Sequence, residues 1–411
     1  MSTVASIFRA SPRKIEGDMS PPASMTNPVL RIKGKSLLPI VQGGMGVGIS
    51  AHRLAGHVAR EGAVGTVSSV DLRRHHPDLM AQTAKSRDKD LINRVNLLAL
   101  DREVRAAKQI AESQGMVAVN IMRAVSEYKA NVRQSCESGI DAIVVGAGLP
   151  LDLPDLTATY PNVALIPILS DSRGIAIVIK KWLRKSRLPD AIVIEHPRYA
   201  GGHLGAANEA DLENPRFDFP RVLEETFAVF RELGIERENV PLIPAGGIAT
   251  PDQVQALFAL GASAVQIGTP FAVTEESDAH PNFKRVLADA KPEDIVTFMS
   301  VAGLPARAVK TPWLEKYMEK LPVLRKRAGT RTDCTLAFDC LEQCGLRDGI
   351  ERFGQFCIDH HLAAALAGDV KRGLFFRGAA PLPFGKQIRS VKELIEYLLH
   401  GIMPANSVVA S

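Results

Sequence analysis

The sequence predicts an α/β fold, a (β/α)8 TIM barrel with a helical C-terminal extension, and three observations carry that prediction. Eight short apolar runs recur between residues 38 and 269. Helical patterns lie between most of them. Most of the runs are continuous, with little apolar–polar alternation, which suits strands buried on both faces of a parallel sheet. Eight alternations of this kind argue for a closed barrel, with a doubly wound open sheet as the runner-up. The first glycine cluster, GGMGVG, fails the spacing of the dinucleotide fingerprint that would favour the open sheet.

The first strand is LPIVQ (38–42), followed by the helical AHRLAGHVAREG. The second is AVGTVSS (63–69), and DREVRAAKQIAESQG leads into the third, MVAVNIM (116–122). AVSEYKANVRQSCESG joins it to DAIVVGAG (141–148), with Cys136 expected in the core. The next unit, LDLPDLTATYP, is short and interrupted by Pro154 before VALIPILS (163–170). SRGIAIVIKKWLRKS joins that strand to AIVIEHP (191–197), and FPRVLEETFAVFRELG precedes VPLIPAGG (240–247). The last helix-and-strand pair is TPDQVQALFALG and ASAVQIGT (262–269), with Thr250 as N-cap, Pro251 at N1 and Gln253 completing a capping box. Two connections, 70–100 and 196–217, exceed ordinary loop lengths and suggest binding or lid roles.

Residues 1–29, rich in Ser and Pro, read as a flexible tail ahead of a barrel at 30–312 and a Cys-containing helical extension at 313–411 that packs on or caps it. The net charge of +5 is modest and spread along the chain, which argues against nucleic-acid binding. No apolar stretch approaches the ~20 residues of a membrane span, and the N-terminal stretch lacks the apolar core of a secretory signal, so the expected location is cytoplasmic.

In a barrel of this type the site lies at the C-terminal ends of the strands. There the sequence places Gly43, Gly44 and Met45, then Asn120, Gly146 and Gly148, then Ser170 and Asp171. Ala200, Gly201, Gly202 and His203 follow the sixth strand, Gly246 and Gly247 the seventh, and Gly268 and Thr269 the eighth. A backbone without Cβ atoms admits close approach of a flat ligand and presents its N–H groups. The loops after the seventh and eighth strands are the recurrent phosphate site of the fold, and a helix N-terminus after Gly246–Gly247 favours an anion. One phosphate cradle plus close backbone contact suits FMN better than a dinucleotide.

The stretches PIVQGGMG, VNIM, AGGHLG, IPAGGI and GASAVQIGTPF, followed by RAVKT (307–311), resemble the nitronate monooxygenase family, formerly 2-nitropropane dioxygenases, which includes FMN-dependent enoyl-ACP reductases. The resemblance runs from residue 30 to residue 315. It implies FMN in the barrel mouth, with Gly43, Gly44 and Met45 along the isoalloxazine edge and Asn120 hydrogen-bonded to the ring. It further implies that Ala200, Gly201 and Gly202 line the cofactor, that Gly246, Gly247, Gly268 and Thr269 hold the phosphate, and that His203 is the active-site histidine. Asp171, at the same rim, is a further candidate for the cofactor site. Tyr199 stands where the family often has Glu, and Glu195, His196 and Arg198 fall outside its pattern. His196 and Tyr199 are candidate secondary residues, and His75 and His76 are expected to face solvent.

The activity so implied is oxidative denitrification of alkyl nitronates with O2, giving a carbonyl and nitrite. The alternatives are an NAD(P)H-dependent reductase of an enoyl thioester or quinone, and a flavin-binding subunit without turnover. The extension holds four of the five cysteines, Cys334, Cys340, Cys344 and Cys357, at spacings that match neither a zinc finger nor a bacterial ferredoxin run. Buried thiols are one reading and a metal or iron–sulfur site is the other, with His360 or His361 able to add a ligand. Beyond them, GDVKRGLFFRGAAPLPFG carries exposed-looking Phe375 and Phe376 and could fold back over the barrel mouth or form a subunit contact. The capped helix SVKELIEYLLHG is expected on the barrel or on a partner chain, which allows a homodimer, and residues 404–411 read as a frayed tail.

Overall fold

The structure is a computed structural model that describes residues 27–329 and 334–405. The tail expected before residue 27 and the last six residues lie outside the described residues.

Eight parallel strands close into the barrel, all at the expected positions. A hairpin precedes them: β1 (Leu30–Ile32) pairs with β2 (Lys35–Leu37) across Lys33 and Gly34, both at positive φ. A two-residue turn with both residues in that region matches the twist of its strands. The barrel strands are β3 (Ile40–Gln42), β4 (Val64–Ser68), β5 (Met116–Met122), β6 (Ala142–Gly146), β7 (Ala164–Leu169), β8 (Ile192–Glu195), β10 (Leu242–Ala245) and β11 (Val265–Ile267). The order is sequential, and β11 closes on β3 through Val265 opposite Ile40.

Two apolar layers hold the barrel. Inside, Val41, Val64, Met116, Val144, Ile166, Val193 and Ile243 fill the lumen, and Leu30, Ile32 and Leu37 of the hairpin pack against this interior cluster. Lys33 and Lys35 reach the carbonyls of Pro161 and Gly115, which precede β7 and β5, so the hairpin plugs the N-terminal end. Outside, helices cover the strands. Trp182, fully buried on the helix Ser172–Leu183, also donates its indole N–H to the Pro150 carbonyl at 3.1 Å. Cys136 lies in this outer layer, as expected.

The connection at 70–100 is more regular than its length suggested. It folds as a 3-10 turn (Leu72–His75), the helix Pro77–Thr83 and the first half of a 23-residue helix, Lys89–Ala111. Its histidines do not face solvent. His75 Nε2 bonds the Gly48 carbonyl at 2.8 Å, and His76 pairs with Glu103 at 2.9 Å. Glu103 is buried and also accepts from His52 Nδ1 at 2.7 Å. Burial pushes its carboxyl up, but the hydrogen bonds from His52 and His76 outweigh this and hold it at about 2, while the Glu103 hydrogen bond raises His52.

These two shifts set opposite ends of one pH window. A depressed carboxyl stabilises above its unfolded pKa of about 4.3, and that contribution is lost as pH falls towards 2. A raised imidazole stabilises below its unfolded pKa of about 6.5, and that contribution is lost as pH rises through the folded value. Glu103→Gln should therefore lower the melting temperature most between about pH 4.5 and 6.5. A penalty unchanged from pH 4 to pH 9 in parallel melting curves would show that the pair is not charged in the fold.

The strand β9 (Gly202–His203), too short to read from sequence, forms a second sheet with β12 (Ile295–Met299) and β13 (Pro305–Val309). That sheet sits beside the barrel mouth. The RAVKT stretch begins in β13 and runs past its end at Val309, and its Arg307 is buried and bonds the carbonyls of Pro197 and Ala200, fixing the loop after β8.

The extension folds back on the barrel. Phe375 is fully buried and packs on Phe283 with ring centroids 5.4 Å apart, so the expectation of exposed phenylalanines does not hold. The helix Val391–His400 carries the expected capping box, with Glu393 N–H donating to Ser390 Oγ and Ser390 N–H donating to Glu393. Its apolar stripe joins the outer layer of the same chain. Among the described residues no helix is long and apolar enough to cross a membrane.

Candidate functional site

A cavity of ≈ 670 Å³ opens at the C-terminal ends of the barrel strands. All of the rim residues singled out from sequence line it: Gly43, Gly44, Met45, Asn120, Asp171, Ala200, Gly201, Gly202, His203, Gly246, Gly247, Gly268 and Thr269. This size is that of a cofactor or small-molecule site.

The glycines there have local physical reasons. A Cβ on Gly44 would lie 2.3 Å from the Cβ of Asn120, so only bare main chain passes that side chain. Gly246 and Gly247 have φ of +101° and +77°, a region that disfavours other residues, and a Cβ on Gly247 would meet the Cβ of Tyr199 at 2.8 Å. The turn leads into the helix Pro251–Ala259, whose N-cap Thr250 accepts from Gln253 N–H and whose Gln253 Oε1 accepts from the Thr250 and Ala249 N–H groups. Asn120 Nδ2 donates to the Val144 carbonyl at 3.4 Å. One oxygen of Asp171 is committed to its own helix, accepting from Gly174 N–H at 2.8 Å.

His203 is half-buried, with Nε2 2.7 Å from Ser300 Oγ and its ring centroid 5.6 Å from that of Phe376. Ser300 Oγ also accepts from Ala302 N–H at 3.3 Å, so its own proton is free to go to Nε2. That pairing favours the tautomer with the proton on Nδ1. Burial pushes the imidazole down to about 4, so it is neutral around pH 7.

His196 is not in the cavity. It is buried on the other side of the loop, beside Asp218 at 3.4 Å and between the rings of Tyr199 and Phe219. Tyr199 does line the cavity. Glu195, the last residue of β8, lines it too, on a row shared by Ala245 of β10 and Gln266 of β11. Its unusual place ahead of AGGH was visible in the sequence, but nothing in the run distinguished an inward carboxyl from a solvated one.

Part of the lining comes from the extension, whose irregular pattern hid the role. Cys340, Leu341, Asp359, Leu362, Leu374, Phe376, Gly378 and Pro381 cover the mouth. Gly378 N–H donates to Thr269 Oγ1 at 2.9 Å, and a Cβ on Gly201 would lie 2.5 Å from Gly378 N, so the two segments are tightly apposed. Asp359 is buried and bonds Arg74 Nη2 at 2.7 Å; Arg74 and Arg73 both pair with Asp71, which ties the cover to the connection after β4. Among the described residues no lysine or arginine lines the cavity.

All five thiols are free, and among the described residues no three His, Cys, Asp or Glu side chains are placed to hold a metal ion. Cys344 caps the short helix Gly345–Asp348, and Cys357 stands at the start of Ile358–Leu366. Burial pushes the Cys357 thiol up to about 11, so it is protonated around pH 7. His361 is engaged with the Arg372 carbonyl at 2.6 Å and stacked on Trp313.

The chain is similar to the "probable nitronate monooxygenase" of Bacillus subtilis, 28% identical over 287 residues that cover 68% of this chain and 78% of that protein. A protein of the same description from Staphylococcus saprophyticus is 26% identical with the same coverage. Among solved structures, FabK from Thermotoga maritima shares the fold with a TM-score of 0.58 at 23% identity, covering 88% of this chain and 91% of that one. A nitroalkane oxidase from Streptomyces ansochromogenes gives a TM-score of 0.58 at 18% identity over 89% and 96% of the two chains. The sequence model of the nitronate monooxygenase family matches residues 30–401, so the chain belongs to that family of oxidoreductases.

Proposed function

We propose that the protein is an FMN-dependent oxidoreductase that converts nitronates with O2 into a carbonyl compound and nitrite. The observation that carries this reading is the cradle at one rim, where Gly44, Gly246 and Gly247 leave space that Cβ atoms would close, beside a neutral His203 in the same cavity. The residues fit a singly phosphorylated flavin. Gly246, Gly247, Gly268 and Thr269 would hold the phosphate, with backbone N–H groups as donors, and Gly43, Gly44, Met45 and Asn120 would meet the ring.

FMN when bound supplies one- and two-electron transfer, which no side chain here provides. The chain's own contribution is binding, orientation and exclusion of water. Nδ1–H of His203 donates to an oxygen of the substrate, and Phe376 and the rest of the cover keep the cavity apolar. Anaerobic mixing tests the reading. Bound FMN should bleach on addition of a propyl-2-nitronate solution and not on addition of NADH or NADPH. Bleaching by a nicotinamide alone would instead establish a reductase, and bleaching by neither would leave a binding subunit.

A further inference from the structure

The four cysteines of the extension converge on one place, which the proposed oxidation does not use. Cys340 stands within electrostatic reach of the Cys334, Cys344 and Cys357 thiols, and Cys357 within reach of Cys334 and Cys344. All four are half-buried, none is bonded to another, and none lies inside a helix. Cys136 is the contrast, enclosed on the helix Tyr128–Glu137 among the apolar side chains of the outer layer.

The chain is tied so as to bring the four together. A turn closes from Ala337 N–H to the Cys334 carbonyl. The Cys340 carbonyl accepts from Ser126 N–H at 3.4 Å, and Leu341 pairs with Val125, which pins this segment beyond the end of β5. Arg347 reaches back to the carbonyls of Leu341 and Glu342, each at 2.9 Å, and so closes the loop between Cys340 and Cys344. A Cβ on Gly345 would lie 2.3 Å from the Gly354 oxygen, so the chain that leads to Cys357 returns beside Cys344.

We propose that Cys334, Cys340, Cys344 and Cys357 bind a four-iron iron–sulfur cluster at the wall of the cavity. Four thiolates are the ligand set of such a cluster. Each thiolate binds a different iron, so the sulfurs surround a volume and do not converge on one ion. That matches the arrangement: among the described residues no three side chains are placed around a single ion, as a structural zinc site requires.

The surroundings suit a buried, negatively charged cluster. Arg347 N–H donates to Cys344 Sγ at 3.5 Å, and the His360 amide favours the ionised form of Cys357. Donors on sulfur stabilise the ligating thiolate and tune the cluster. Cys340 and Cys344 share an apolar cluster with Leu341, Phe356 and Ile358, which limits the access of water. Burial opposes bare thiolates there, and bound iron removes that penalty by displacing the protons. Cys340 lines the cavity together with its neighbour Leu341 and with Ile358, the neighbour of Cys357. The cluster would therefore stand beside the chamber proposed for the flavin, and it needs no part of the nitronate reading.

The test loads the full-length protein with ferrous iron and sulfide under nitrogen, removes the excess by desalting, and measures bound iron, acid-labile sulfide and FMN. About four irons and about four sulfides should remain per chain. The brown colour should survive removal of FMN, and reduction with dithionite should give a paramagnetic signal. Cys334→Ala, Cys344→Ala and Cys357→Ala should each lose most of the iron and sulfide, with unchanged far-ultraviolet dichroism to show that they fold. Cys136→Ala should keep both. Iron retained without sulfide, or neither retained, would overturn the proposal. Full retention in any of the three variants, or an equal loss from Cys136→Ala, would also overturn it. A chain that holds the cluster but no FMN would support this site and sink the flavin reading instead.

Discussion

His203→Ala is expected to lower kcat/KM for nitronate about 10²–10³-fold while the protein keeps its flavin. The size follows from removing one preorganised donor in a water-poor cavity. The side chain sits on β9, which is fixed by pairing with β13, and its ring is oriented by Ser300 at 2.7 Å, so the donor direction is set before substrate arrives. His203→Asn or His203→Gln keeps an N–H and should recover part of the loss. Because burial places the imidazole at about 4, His203 should add no inflection to the rate profile between pH 6 and 8. Activity that depends on this group should be present above its folded pKa and fall only in acid, as the ring gains its second proton. A pH profile in which the His203→Asn variant loses an inflection near 6.5 would contradict the neutral, Ser300-bound imidazole.

Gly247→Val should yield a folded protein without FMN. The position has φ +77°, where a β-branched residue costs about 1–3 kcal/mol, and its Cβ would fall 2.8 Å from the Cβ of Tyr199. Relief requires either the turn or Tyr199 to move, and both line the proposed phosphate end. We expect FMN affinity to fall at least 100-fold, about 2.7 kcal/mol, with a lower melting temperature but unchanged far-ultraviolet dichroism. Thr269→Ala supplies the milder comparison. It removes the acceptor for Gly378 N–H without touching the strand-seven turn, so it should loosen the cover and weaken FMN by less. Full flavin retention in Gly247→Val, measured by equilibrium dialysis, would place the phosphate elsewhere.

The barrel was legible because its strands are continuous apolar runs, and burial on both faces of a parallel sheet demands that pattern. AVGTVSS, DAIVVGAG and VALIPILS contain β4, β6 and β7. The rim was legible because several close approaches and positive-φ turns demand glycine, as at Gly44, Gly246 and Gly247.

What escaped the sequence depends on contacts distant along the chain. Nothing in RRHHPDL says that His76 will meet Glu103 of the next helix or that Arg74 will reach Asp359 of the extension. Gly202–His203 is a strand only because β13 pairs with it. Phe376 and Gly378 cover the mouth from a stretch without helical or strand periodicity. Among the described residues no hydrogen bond or ion pair holds the Glu195 carboxyl, a property of the assembled cavity and not of the run IVIEHP.

The central claim is that this rim holds one flavin through a single phosphate. Binding titrations of the flavin-free protein with FMN and with riboflavin, under the same buffer, test it most directly. The account predicts saturable FMN binding that restores the yellow absorbance, with riboflavin at least 100-fold weaker because the donors at Gly246, Gly247, Gly268 and Thr269 go unused. Equal affinity for the two, or a protein that stays colourless in excess FMN, would contradict it.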